Sequence, residues 1–110
     1  MVLQKNARDI EFKKQQIWTV VSAIPYGCVA SYGQIATMAG LPNYARFVGS
    51  CLKNLPKDTL LPWHRIINSQ GKISFPLDSA RFFRQKELLE KEHVLVINGR
   101  VSLKKYQWNV

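Results

Sequence analysis

Acidic residues are scarce in this chain, and one long stretch has none. Seven Asp and Glu face sixteen Lys and Arg, a formal net charge of +9. Between Glu11 and Asp58 no acid occurs, while Lys13, Lys14, Arg46, Lys53 and Lys57 all do. Cysteine is also rare. Cys28 and Cys51 form no Cys-x-x-Cys pair, and His64 and His93 are the only histidines. That inventory argues against a zinc site, and no metal or other cofactor is expected. Two reduced thiols are a better reading than one disulfide. No apolar run approaches the roughly 18 residues that span a bilayer, so no membrane partner is expected. Residues 1–6 carry no apolar signal core behind their charge. The protein is therefore expected to stay where it is made: cytoplasmic, at the nucleoid in a bacterium or in the nucleus of a eukaryote. Repeats, low-complexity tracts and Gly-, Ser- or Pro-rich linkers are missing too. The 110 residues are read as one domain, 1–110.

What is present suffices for a small core. The apolar share is 46%, with 11% aromatic residues, which argues against wholesale disorder. The cationic surplus favours a polyanionic partner, with a solubilising surface as the alternative.

The apolar spacing of Ile10, Ile17, Val21 and Ile24 predicts a first helix from about Asp9 to Ala23, ended by Pro25-Tyr26-Gly27. Ser31-Tyr32-Gly33-Gln34 reads as a capping box opening a short helix, Tyr32 to Ala39, with Gly40 as its left-handed cap. After Leu41-Pro42, Asn43 is expected to cap a further helix, Tyr44 to Lys53, that stops before Pro56. Two short helices joined by a Gly-containing turn outline a helix-turn-helix, whose second helix enters a DNA groove. That helix holds Tyr44, Ala45, Arg46, Ser50 and Lys53, with the small residues Ala45 and Gly49 allowing close approach to a sugar-phosphate wall.

The apolar stretch Leu60 to Ile67 is expected to be extended, with Asn68-Ser69-Gln70-Gly71 as a turn and Lys72 to Phe75 returning. A helix is predicted over Ser79 to Glu92, with Phe82 and Leu89 inward. Asn98-Gly99, between apolar pairs within Val94 to Leu103, signals a hairpin that would form a wing. The fold class is therefore mainly α: a winged helix-turn-helix with small β-hairpins.

Three blocks carry a resemblance. Ile24-Pro25-Tyr26-Gly27-Cys28-Val29-Ala30-Ser31-Tyr32-Gly33-Gln34-Ile35-Ala36, Tyr44-Ala45-Arg46-Phe47-Val48-Gly49 and Leu61-Pro62-Trp63-His64-Arg65-Ile66-Ile67 stand in the order and spacing of the C-terminal DNA-binding domain of O6-alkylguanine-DNA alkyltransferases. The resemblance covers about Ile10 to Glu92. One departure narrows it. That family has Pro-Cys-His-Arg, whose cysteine accepts the alkyl group irreversibly; here the position is Trp63. An indole forms no thiolate and cannot perform the displacement. Tryptophan at this position marks the alkyltransferase-like proteins, and the basic segment from Lys72 onward also resembles that group.

The resemblance implies a non-enzymatic sensor that flips O6-alkylguanine out of duplex DNA. It implies that Arg46 fills the vacated stack, that Tyr32 rotates the 3′ phosphate and that Trp63 walls the lesion pocket. Ala45, Ser50 and Lys53 would meet DNA on the same helix. His64, which helps activate the cysteine in the alkyltransferases, would here hold the loop, as would Arg65 by bonding loop carbonyls. The usual pocket Tyr-Ser pair is not visible near Ser74, Phe75 and Pro76. Further implications are a hand-over to the damage-recognition proteins of nucleotide excision repair and a monomeric chain. Two rivals remain at this point: a weak alkyltransferase using Cys28 or Cys51, and a winged-helix transcription regulator. Cys51 is expected to face the core and Cys28 to lie in a loop or short strand, neither beside a base.

Overall fold

A computed structural model describes residues 7–110, so the signal-core reading of residues 1–6 lies outside it. Five helices, α1 Ala7–Ser22, α2 Tyr32–Met38, α3 Ala45–Lys53, α4 Ala80–Lys91 and α5 Leu103–Tyr106, surround two short strands, β1 Ala30–Ser31 and β2 Ile66–Ile67. The mainly helical fold class holds. The strands, however, pair in parallel, Ala30 opposite Ile66 and Ser31 opposite Ile67, and form no hairpin with each other.

This small sheet partitions the core. Side chains alternate faces along a strand. Ala30 and Ile66 belong to one buried cluster, with Ile17, Val21, Ile35, Val48 and Leu52 of α1 to α3. Val29 and Ile67 belong to the other, with Phe82, Leu89, Val94 and Val101. Burying one such side chain stabilises by roughly 1.5–3 kcal/mol, so a pleat two residues long locks two helical layers together.

Local chemistry explains the boundaries. The Ser31 hydroxyl accepts the Gln34 N–H at 3.1 Å and starts α2. The other half of the expected box is not made. Gln34 donates instead to the Trp108 carbonyl at 2.8 Å and accepts from Gln107 at 3.1 Å, tying the C-terminal segment to α2. Gly40 has φ +78, and the Leu41 N–H reaches the Ala36 carbonyl at 2.8 Å while that of Gly40 reaches Thr37 at 3.0 Å. This is the Schellman ending expected of a left-handed glycine. Asn98-Gly99 turns as predicted, with both residues at positive φ and Ile97 and Arg100 exchanging two hydrogen bonds at 2.9 Å.

Several expectations need correction. Ile10 is 38% exposed, because the buried stripe of α1 is carried by Ile17 and Val21. Asn43 does not cap α3; it adopts φ +72, a conformation Asn tolerates, and Tyr44 takes the N-cap position without a side-chain bond. The 60–67 stretch is not extended throughout: Trp63–Arg65 forms a turn of 3-10 helix before β2. Lys72 pairs with Arg100 rather than returning along that stretch. The Asn68–Gly71 turn itself is present. Its Gly71 (φ +82) packs so closely that a Cβ would lie 2.5 Å from the Val101 carbonyl oxygen.

Candidate nucleic-acid interface

The helix-turn-helix consists of α2 and α3, packed directly on each other. Val48, Cys51 and Leu52 turn inward from α3. Arg46, Ser50 and Lys53, spaced four and three residues apart, form one exposed stripe on its outer face. Among the described residues no ion pair engages Arg46 or Lys53. Ala45 is partly buried in the first turn. Tyr32 opens α2, partly buried, with its ring beside Gly49: a Cβ there would lie 3.9 Å from Tyr32 Cε1. Gly49 thus faces the Tyr32 ring.

The second feature is the Pro62–Arg65 turn, and buried charge holds it. Glu92 ends α4 and is only 8% exposed. Its carboxylate accepts Arg65 Nη2 at 2.7 Å, Arg65 Nε at 2.9 Å, the Gly27 N–H at 2.8 Å and His64 Nε2 at 2.7 Å. Arg65 Nη1 also donates to the Ile24 carbonyl at 2.7 Å. Gln85, buried in α4, donates to the carbonyls of His64 at 3.0 Å and Ile66 at 2.8 Å. Burial pushes the Glu92 carboxyl up, but the bonds from Arg65, Gly27 and His64 outweigh it and hold the group at about 2. Burial lowers the His64 pKa, against the opposing pull of Glu92. The neutral ring therefore donates from Nε2, since an ionised carboxylate only accepts. His64 and Arg65 both bond the Glu92 carboxylate from within the turn, and Arg65 also bonds the Ile24 carbonyl.

Beside this turn lies an open cleft of about 720 Å³. Leu52 and Leu55 at the end of α3, Leu61, Trp63, Phe75 and Leu88 give it an apolar wall. The Trp63 ring meets Phe75 edge to face, centroids 6.0 Å apart at 83°, and stands edge-on to His64 at 6.2 Å. Such contacts fix the orientation of the indole, which is partly buried in the cleft wall. Tyr32 and Arg46 are not in the cleft lining, so the assigned residues fall into two groups, joined through α3. Neither cysteine lines the cleft. Cys51 is buried in the core, where burial raises its thiol pKa, and Cys28 is half-buried.

Three contributors have no role assigned from the sequence: Phe75, Gln85 and Glu92. Glu92 left a trace, because an acid at a helix C-terminus is opposed by the helix dipole and needs a tertiary partner. Phe75 lies in the Ser74-Phe75-Pro76 segment that the resemblance sets near the pocket, but the poor match there gave it no role.

A helix-turn-helix with an unpaired basic stripe on its outer helix, set against an open aromatic cleft, is the fold of a DNA-binding domain. Residues 12–94 match the DNA-binding domain of 6-O-methylguanine DNA methyltransferase. The chain belongs to that family. It is 52% identical over 94 residues to the DNA base-flipping protein of Vibrio parahaemolyticus, covering 84% of this chain and 92% of that one. It is 45% identical over 98 residues to alkyltransferase-like protein 1 of Schizosaccharomyces pombe, covering 84% and 91%. The crystal structure of S. pombe Atl1 with damaged DNA containing O6-carboxymethylguanine superposes with a TM-score of 0.83 at 42% identity, covering 91% of this chain and 96% of that one.

Proposed function

We propose that this chain is a sensor of O6-alkylguanine in duplex DNA. It flips the alkylated base against Trp63, leaves the alkyl group in place and marks the site for nucleotide excision repair. The observation that carries this reading is Trp63 in an intact Pro62-Trp63-His64-Arg65 turn, lining a cleft with no thiol in its wall. The resemblance puts the acceptor cysteine at that position. Indole cannot take an alkyl group by displacement, but its flat apolar face suits one.

The remaining residues take their roles around that contact. Extrusion of a base costs a few kcal/mol. Arg46, exposed and without an ion pair among the described residues, enters the vacated stack, and its planar donors reach the orphaned partner base. Tyr32 turns the neighbouring phosphate. Ser50 and Lys53 continue the contact along the backbone, and Ala45 keeps the first turn of α3 slim. The chain acts as a monomer and needs no cofactor. Relatives named for base flipping, and one solved with alkylated DNA, support the reading.

The test is a titration of matched duplexes containing guanine or O6-methylguanine. Tighter binding of the methylated duplex is expected, with log affinity falling against log salt by about 0.9 per phosphate contact. Equal affinity for both duplexes would remove the sensor reading.

A further inference from the structure

The cleft beside Trp63 contains no acidic residue in its lining, yet four cationic residues, Lys57, Arg65, Arg81 and Arg84, border it. Two are already neutralised. Arg65 pairs with Glu92 at 2.7 Å and Arg84 with Glu87 at 2.7 Å. Among the described residues no ion pair engages Lys57 or Arg81.

Arg81 differs from Lys57 in how it is held. Its guanidinium lies 5.5 Å over the Phe75 ring, and Phe75 in turn meets Trp63 edge to face. Stacking occupies the face of a guanidinium and leaves its N–H donors free around the rim. The result is an exposed cation held over one ring, which Trp63 braces in turn, at the edge of the cleft's apolar wall. Arg81 sits in the first turn of α4, where the helix dipole disfavours positive charge.

Resting on the reading that the flipped base seats against Trp63, we propose that Arg81 reads the charge of the group carried on O6. Adducts ending in a carboxylate are favoured over neutral adducts of the same size. A carboxylate accepts two N–H bonds from one guanidinium, and an amide in its place offers one acceptor and two mismatched donors. A phosphate contact by Arg81 is the competing role, and it would act on every duplex alike.

The experiment compares four otherwise identical duplexes, containing guanine, O6-methylguanine, O6-carboxymethylguanine or its neutral isostere O6-carbamoylmethylguanine. Wild type is expected to bind the carboxymethyl duplex about three- to fivefold more tightly than the carbamoylmethyl duplex, the scale of a partly exposed ion pair. In Arg81→Gln that ratio falls to one, while the preference for O6-methylguanine over guanine stays. Lys57→Gln leaves both ratios as in wild type. Equal binding of acid and amide by a wild type that still prefers the methylated duplex overturns the role of Arg81 and leaves the sensor reading intact. Parallel weakening of all four duplexes in Arg81→Gln overturns it as well, in favour of a phosphate contact. A wild type that does not distinguish O6-methylguanine from guanine loses the sensor reading and this inference together.

Discussion

Arg65 and Arg46 stand in two regions that the chain's basic character makes look alike, and the structure treats them in opposite ways. Arg65 is 16% exposed and bonded to Glu92 and the Ile24 carbonyl. Arg46 is exposed on α3, and among the described residues no ion pair holds it. One region is a turn fixed by buried charge; the other is a cationic stripe kept free. In a chain with nine surplus positive charges, the partner of an arginine, not its place in a motif, separates bracing from reading.

The largest test of this contrast is Glu92→Ala. It strands a part-buried Arg65 and removes the acceptor of His64 and the Gly27 N–H. We expect a loss of about 3–5 kcal/mol in urea unfolding, as for a buried pair broken from one side. A loss under about 1 kcal/mol would show that the turn stands without its carboxylate. Acid probes the same group without mutation. Its folded pKa of about 2 lies below the ordinary 4.5, so the unfolded chain takes up this proton first. The stabilisation, on the order of 3 kcal/mol, is complete above about pH 4.5 and is lost as pH falls toward 2. His64 acts in the same direction, because its lowered pKa makes the folded state resist protonation as pH drops below 6.5. A denaturation midpoint that stays constant from neutral pH to pH 3 would contradict both.

The other side of the comparison predicts binding losses without stability losses. Arg46→Ala should weaken O6-methylguanine binding by roughly 1–3 kcal/mol, the scale of stacking and base-directed contacts. Its unfolding midpoint should stay within about 0.5 kcal/mol of wild type. If lesion and plain duplexes bind as before, Arg46 is only a solvated cation. Trp63→Ala is the smaller and finer probe. It should keep non-specific affinity, which the proposal puts on α3, and lose about 1 kcal/mol of lesion preference. Equal losses for both duplexes would make the indole a structural residue.

Legibility in the sequence followed sequence distance. Ser31, Gly40 and Asn98-Gly99 act close to themselves in sequence, and their caps and turns were readable, as was the start of a helix at Ser79. Ser79 accepts the Phe82 N–H as a cap should. Asn43 misled because Asn suits both a cap and a left-handed turn, and the structure uses the second. The parallel pairing of Ala30 with Ile66, and the bonds that bring Glu92 to His64 and Arg65, span dozens of residues that no local pattern records. The C-terminal segment escaped for the same reason. Val29 bonds the Tyr106 carbonyl at 2.9 Å and accepts from Trp108 at 2.8 Å, in a region beyond the blocks that carried the resemblance. At the site, Trp63 was legible as a departure inside a known block, whereas Phe75, in a segment where the resemblance is poor, gained a role only when the fold set its ring against the indole.

Recognition without transfer is tested by the intact mass of the unmutated protein after incubation with duplex DNA containing O6-methylguanine. A sensor leaves the protein mass unchanged and the methylated base recoverable from the DNA. A protein heavier by one methyl group, on Cys28, Cys51 or any other residue, with plain guanine restored in the duplex, would contradict it.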